Sequence, residues 1–460
     1  MRQGSIPRAL RRASPWALAL AAALGLAACG GGGNPSAPSL ATVASVNAAS
    51  TAPSAPPSGG FQQLVVFGDS LSDDGAYTLA AVNTYSVAPY NIPFTGLPYA
   101  AGGQFTVNGS FNGVANNWTT QLAAMMNLNL TPNLVGFSTT LGTFYLTPSG
   151  VNPSETQATC AFDLPQSGTS LPSCTDYAQG GSMVSNPDGI GHSTGALTLP
   201  LTTQVQNYLT HYTSFDANQL VVLLGGNNDI FSALSNVQTQ VTAAVTQAVT
   251  AALTANPSLT TAQIDAIKAS AEQSATPAAV SAAQAAVALA ADQLSGLVGQ
   301  TLSNGAKYVL VYTLPDSSLT PFGQSLSGGT TCNVQDPSTP CYLLSNLVNV
   351  FNQQLLNDLQ GKAVRVIDGH ALLAQEIANP AQFGFTNVTD PWCNVATGGP
   401  GATAPSSLMC NALTPNNTAG ASTANVNSWL FADNVHPTPA GYKVIADATA
   451  TTLKSFGWIQ

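Results

Sequence analysis

Basic side chains are nearly missing from this chain. Of its 460 residues only 10 are Lys or Arg, and four of those (Arg2, Arg8, Arg11 and Arg12) stand in the first dozen. Beyond Cys29, six basic side chains (Lys268, Lys307, Lys362, Arg365, Lys443 and Lys454) oppose all 20 acidic ones, a formal charge of −14. Such a surface repels phosphate backbones, which excludes nucleic acid as a partner. Charge of either sign is scarce, at 7% of residues, so solubility rests on Ser, Thr, Asn and Gln. Histidine is scarcer still, with four in the chain. No two cysteines stand at the tight spacing of a zinc site, so neither a metal nor another cofactor is expected. Past the amino end no apolar run of membrane length is evident, and no internal repeat.

The amino end itself is apolar. The four arginines precede a segment from Trp16 to Ala28, too short to span a membrane as a mature helix, which reads as a secretory signal. It ends Leu26-Ala27-Ala28-Cys29, which resembles the bacterial lipobox. That resemblance implies cleavage before Cys29 and lipidation of its thiol. Gly30, not Asp, follows, which by analogy with Gram-negative lipoproteins points to the outer membrane. The alternative is a soluble periplasmic or secreted protein cut nearby. Gly30 to Gly60 carries no charge and few bulky residues, so it reads as a disordered tether of roughly 30 Å reach. The expected division is a signal peptide over 1–28, lipidated cysteine and tether over 29–60, and a folded domain over 61–460.

With Cys29 assigned to lipid, six cysteines remain. They fall as three local pairs: Cys160 with Cys174, Cys332 with Cys341, and Cys393 with Cys410. An exported context favours disulfides. Sequence alone leaves several connectivities open, and local pairing is the expectation tested below.

Four short apolar runs read as buried strands: Leu64 to Phe67, Leu220 to Leu224, Tyr308 to Tyr312 and Ala363 to Ile367. Helices are expected over 117–126, 202–212, about 342–360 and from Pro437 to about Lys454. Ser232 to Asn304 is Ala-rich and helical, with breaks expected at Pro257 and Pro277. Its apolar stripes fit packing; a lid or membrane contact is the other reading. Residues 130–175 read as a β-rich or irregular insertion. Strands alternating with helices argue an α/β fold with a parallel sheet.

The first strand runs into Gly68-Asp69-Ser70-Leu71-Ser72-Asp73. A serine at the carboxyl end of a parallel strand lies where open α/β sheets place ligands. It also suits a plain helix N-cap. A serine nucleophile needs a base, an orienting carboxylate and oxyanion donors. His192, His211, His370 and His436 are the base candidates, and His436 follows Asp433 by three residues. Gly191-His192-Ser193-Thr194-Gly195 matches a G-x-S-x-G elbow, yet the Pro187- and Gly189-containing approach cannot form the strand that motif requires. Aromatics from Tyr77 to Trp118 either line an acyl pocket or pin a long loop to the core.

Four pieces together resemble the GDSL (SGNH) hydrolase family. They are Gly68-Asp69-Ser70-Leu71-Ser72-Asp73, Asp176-Tyr177-Ala178-Gln179-Gly180-Gly181, Gly226-Asn227-Asn228-Asp229 and Asp433-Asn434-Val435-His436-Pro437-Thr438. The resemblance covers about 61–460. It implies a three-layer α/β/α sandwich with a mostly parallel, flavodoxin-like sheet. It implies Ser70 as nucleophile, His436 as base and Asp433 as its orienter. The Ser70 and Gly181 N–H groups with the Asn228 amide would form the oxyanion hole, and the pattern places no donor at Asn227. Asp176 stands where the family usually has Asn, which puts that loop's geometry in doubt. The expected protein is a monomeric ester hydrolase, lipid-anchored at a membrane, acting on acyl-lipid or short-chain esters. Alternatives are an acyltransferase or (lyso)phospholipase on the same triad, a polysaccharide O-deacetylase, and a non-catalytic binding lipoprotein.

Overall fold

A computed structural model of the chain describes residues 40–77, 102–109, 116–133, 137–139, 142–144, 174–194, 196–327, 332–336, 339, 341–394, 406–412 and 414–460. The strands are β1 (Gln63–Gly68), β2 (Phe137–Thr139), β3 (Gly142–Phe144), β4 (Gln219–Leu224), β5 (Tyr308–Tyr312) and β6 (Val364–Ile367). The helices are α1 (Val43–Ala49), α2 (Trp118–Met125), α3 (Leu201–Tyr212), α4 (Asn227–Ala255), α5 (Thr261–Ser303), α6 (Pro321–Leu326), α7 (Tyr342–Leu359), α8 (Gly369–Ala378) and α9 (Pro439–Ser455).

The main sheet has the order β1-β4-β5-β6, and every pair is parallel. Its first three strands are buried along their whole length. That explains their unbroken Leu/Val character, since both faces of a parallel sheet must be covered. Alternate residues show the covers. On β5, Tyr308 and Tyr312 meet Trp458 and Trp118 at the α2 and α9 layer. On the other face Phe67 packs on Tyr208 of α3 and on Phe215. The fold is therefore an α/β/α sandwich with a parallel sheet. β2 and β3 form a small antiparallel pair in the expected insertion.

Both sheet edges are closed without a further strand of the ladder. Beside β1, Tyr177 N donates to Val66 O at 2.9 Å and Gln179 N to Gly68 O at 3.1 Å. Beside β6, the Asn47 side chain does a strand's task. Its Nδ2 donates to Val366 O and its Oδ1 accepts from Val366 N, both at 2.8 Å. Unpaired edges invite association, and these contacts remove two of them.

Asn47 also corrects the tether. Residues 40–60 are folded against the domain: α1 buries Val46, and Trp458 Nε1 donates to Pro53 O at 2.7 Å. Composition made this stretch look unable to order; it orders by lending single side chains and carbonyls to a core built elsewhere.

The helical segment needs a second correction. The break near Pro257 is present between α4 and α5, but Pro277 lies inside the continuous α5. Proline removes one N–H and leaves the carbonyl four residues earlier, on Gln273, unbonded. Both residues are exposed, so water can satisfy that carbonyl. Among the described residues α5 is the one helix long and apolar enough to cross a membrane, by length and composition. Its second half packs into the core through Val280, Val287, Leu294 and Val298.

Cys332–Cys341 and Cys393–Cys410 are disulfides, as expected. Cys174 is also disulfide-bonded. Its expected partner Cys160, like Cys29, lies outside the described residues.

A buried acid gives a stability prediction. Glu376 is 3% exposed on α8, beside the apolar cluster of Leu373, Phe385, Leu430 and Phe431. Its Oε1 has no hydrogen-bond partner among the described residues, and burial pushes its carboxyl from 4.5 to about 8. Between those values the unfolded chain has released the proton and the folded one holds it, so folding weakens as pH rises. Glu376→Gln keeps the shape and removes the ionisation. Its Tm relative to wild type is expected to climb from about pH 4.5 to about pH 8 and then level off. A pH-independent difference would show that Glu376 carries no such penalty.

Candidate active site

The site lies at the carboxyl end of the sheet, where strand-to-helix turns gather. β1 ends in a turn in which Ser72 N donates to Asp69 O at 3.1 Å and Leu71 N to Asp69 Oδ1 at 3.0 Å. Ser70 sits at its tip. Far along the chain, Phe431 bridges Pro437 and Ala432 N donates to His436 O at 2.7 Å. That hairpin stands just before α9, whose N-cap Thr438 accepts from Gly441 N at 3.2 Å. It holds His436 over Ser70. His436 Nε2 lies 2.7 Å from Ser70 Oγ, and His436 Nδ1 lies 2.8 Å from Asp433 Oδ2. The tautomer that satisfies both carries its proton on Nδ1 and accepts at Nε2.

Asp433 is fixed from every side. Its Oδ1 accepts Val435 N at 2.8 Å and His436 N at 2.7 Å, and its Oδ2 accepts Ser407 N at 2.6 Å. Burial alone would push this carboxyl up. The His436 charge and these hydrogen bonds outweigh it and hold the carboxyl down to about 2.

The expected oxyanion donors keep N–H groups to spare. The backbone N–H groups of Ser70 and Gly181 have no hydrogen-bond partner among the described residues. Gly181 has φ +80°, and a Cβ there would sit 2.1 Å from Ile190 O, so only glycine fits. Asn228 stands in the first turn of α4, buried, with Nδ2 donating to Ser182 O at 2.9 Å. An amide has two N–H bonds, so one remains.

Two carboxylates missing from the expected site hold it together. Asp73 Oδ2 accepts Gly180 N at 2.8 Å, and its Oδ1 accepts Gly75 N and Ala76 N at 2.9 and 2.6 Å. It thus clips the serine turn to the Gly180-Gly181 loop. Burial lifts it to about 7, against the pull of those three N–H groups. Asp69 Oδ2 accepts Asn227 Nδ2 at 3.1 Å, which ties the same turn to α4. Asn227 is therefore not idle. The only sequence signal for either clamp was membership of the same short blocks as Ser70 and Asn228. Asp176 keeps its loop in place as an acceptor, from Asp74 N at 3.0 Å and Ala178 N at 2.9 Å. Burial, then Asp74 and Asp73, drive its carboxyl well above the usual range.

The rival candidates lie elsewhere. Ser193 is exposed in a single turn, His192–Thr194, with no strand before it. His370 Nε2 is 4.0 Å from Asp316 Oδ2, and His211 ends α3 against Tyr212. Of the aromatic segment, Phe105 is described beside the site, its ring 5.0 Å from that of His436. Residues 78–101 and 110–115 lie outside the described residues. So does any pocket wall they supply. No group of three or more His, Cys, Asp or Glu suited to a metal occurs among the described residues.

A hydroxyl, an imidazole and a carboxylate in line, on an open parallel α/β sheet, define the class of serine-centred α/β folds. The chain belongs to the GDSL-like lipase/acylhydrolase family, whose profile matches residues 64–449. An uncharacterised protein of Pseudomonas putida, from a trpE–trpG intergenic region, is 27% identical over 316 residues, 66% of this chain and 42% of its own. The esterase EstA of Pseudomonas aeruginosa is 32% identical over 152 residues, 33% of this chain and 20% of that one. A GDSL esterase/lipase of Arabidopsis thaliana is 28% identical over 145 residues, 31% and 38% of the two chains. The chain spans less than half the length of each of these relatives.

Proposed function

We propose that this protein is an exported serine hydrolase of carboxylic esters. The observation that carries the reading is the 2.7 Å approach of His436 Nε2 to Ser70 Oγ, with Asp433 on the far nitrogen. In the proposed reaction Ser70 Oγ attacks the ester carbonyl while His436 takes its proton. The carbonyl electrons move to oxygen, toward the Ser70 and Gly181 N–H groups and the spare N–H of Asn228. The imidazolium then protonates the leaving alcohol and an acyl-Ser70 remains. Water, deprotonated by the same imidazole, attacks it and releases the acid. Relatives named esterase and esterase/lipase support the reaction class. The substrates proposed are acyl-lipid or short-chain esters.

A fluorophosphonate probe tests the nucleophile directly. Its phosphorus is expected on Ser70 in a peptide map, with Ser193 unmodified. Modification at Ser193, or none, would refute the reading.

The lipobox-like Leu26-Ala27-Ala28-Cys29 supports a further proposal, that the domain is tethered to the outer membrane by a lipid on Cys29. Residues 40–60 are folded against the domain, so ten residues, 30–39, separate that folded part from Cys29 along the sequence. A clickable fatty acid fed to expressing cells should label wild type and not Cys29→Ser. Equal labelling of both rules the anchor out.

A further inference from the structure

We propose that Asn108 is a positioning residue that holds the base and its orienting carboxylate in one alignment; the inference rests on the roles just assigned to Ser70, His436 and Asp433. Two loops flank the imidazole. The first, residues 103–108, touches His436 itself. Phe105 packs its ring 5.0 Å from the imidazole at 38°, and Thr106 Oγ1 donates to Pro437 O at 2.9 Å. The second, residues 407–410, touches Asp433, through the 2.6 Å bond from Ser407 N.

Asn108 joins them. It is 1% exposed, and its Nδ2 donates to Gln104 O in the first loop and Cys410 O in the second, both at 2.9 Å. Thr106 O, Ser407 O and Leu408 O surround the same nitrogen at 3.1 to 3.5 Å. Its Oδ1 accepts Gln104 N at 2.9 Å, and its own N donates to Cys410 O at 2.8 Å. One amide has two N–H bonds, and here one serves each loop. Every other polar atom around Nδ2 is a carbonyl oxygen, so no side chain without two donors can replace it.

The second loop has other restraints: Gly103 N donates to Leu408 O and Asn108 N to Cys410 O, both at 2.8 Å, Leu408 packs in the apolar cluster with Phe105, and Cys393–Cys410 closes its end. Among the described residues the Asn108 side chain is the group that bonds Ser407 O, Leu408 O and Cys410 O together. Without the Asn108 amide, the Ser407 N–H loses its register on Asp433 and Phe105 loses its seat on His436. Phe105 also abuts the oxyanion loop: a Cβ on Gly180 would lie 2.1 Å from its ring. The same side chain thus sets the imidazole's position against both Asp433 and Gly181.

The test compares Asn108→Ala with Asn425→Ala. Asn425 bonds Gly420 O and Ser422 N beside the apolar cluster that holds Cys393 and Cys410, with no hydrogen bond to His436 or Asp433 among the described residues. In Asn108→Ala, kcat on a p-nitrophenyl ester is expected to fall by roughly 10–10²-fold with KM little changed, since about 1 Å of misplacement costs up to that much. Fluorophosphonate labelling of Ser70 should slow in parallel, and the downfield His436 Nδ1–H proton resonance should shift. Asn425→Ala should keep wild-type kcat. If Asn108→Ala does not fold, Asn108→Ser decides. It leaves less of a cavity, its one short hydroxyl donor cannot serve both loops, and the same kcat loss is expected. Wild-type kcat in a folded Asn108→Ala or Asn108→Ser, or an equal defect in Asn425→Ala, would overturn the proposal. Turnover retained by Ser70→Ala would instead remove the assigned nucleophile, and the positioning role with it. Turnover lost in Ser70→Ala but normal in Asn108→Ala would remove the positioning role alone.

Discussion

Asp433→Asn should lower kcat by about 10⁴-fold while leaving a folded protein that still contains Ser70 and His436 in place. That magnitude is the one known for the same change in the chymotrypsin triad. The reason lies in what each oxygen accepts. Oδ1 accepts the N–H groups of Val435 and His436, Oδ2 accepts Ser407 N, and His436 Nδ1 faces both oxygens, at 2.9 and 2.8 Å. An asparagine keeps its oxygen where the two backbone donors of the hairpin demand it. Its NH2 then replaces Oδ2, the nearer partner of Nδ1, and donates to it. An imidazole that accepts there carries its proton on Nε2, 2.7 Å from Ser70 Oγ, and becomes a donor where an acceptor is needed. Ser70 can no longer hand over its proton. The NH2 also meets the Ser407 N–H head on, so some stability is lost. There is an acid-side signature as well. A carboxyl held at about 2 in the fold and near 3.8 unfolded contributes stability above that window and loses it as pH falls through it. Asp433→Asn removes that dependence. Steady-state kcat, the fluorophosphonate labelling rate and Tm from pH 2 to 5 check the three parts. A folded variant within tenfold of wild-type kcat would show that Asp433 does not set the tautomer of His436.

The sheet was legible because its strands are continuous Leu, Val and Tyr runs. Leu220 to Leu224 and Tyr308 to Tyr312 can satisfy neither period of a half-exposed element, so both faces had to be buried. The pairing of Ser70 with His436 was not legible from spacing. The two are 366 residues apart, and only the four short blocks taken together pointed to it. What sequence reading missed has a common physical cause. Asn47 and Asn108 act by side-chain hydrogen bonds to main chain, and the Ser407 N–H by one from main chain to a side chain. Such bonds need one amide in one place and leave no periodicity, charge run or composition behind. Residues 40–60 looked disordered for that reason. Pro277 misled in the opposite direction: it costs α5 one hydrogen bond and crowds the Gln273 carbonyl, but both residues are exposed, where water can bond what the proline leaves unpaired.

Asn228→Ala is expected to reduce kcat by about 10²–10³-fold with KM nearly unchanged. The side chain has two separable duties. One N–H of Nδ2 donates to Ser182 O at 2.9 Å, which fastens the segment after Gly181 to α4. The other is the one proposed to meet the oxyanion. Loss of the first alone would lower stability and leave turnover per folded molecule almost intact. Loss of the second removes a donor whose work is done only when charge develops on the carbonyl oxygen, so the defect must fall on kcat. The control cannot be Asn227→Ala. Its Nδ2 holds Asp69 Oδ2 at 3.1 Å, beside Ser70, and cutting that bond would disturb the nucleophile's turn. Gln240→Ala, exposed on the same helix, is the sound comparison. The kcat defect should appear on esters of every acyl chain length, because the oxyanion is common to all. Fluorophosphonate labelling should slow too, since its phosphoryl oxygen needs the same donors. A near-normal kcat, or a defect that disappears once unfolded protein is subtracted, would leave Asn228 a loop fastener and reduce the proposed oxyanion hole to the N–H groups of Ser70 and Gly181.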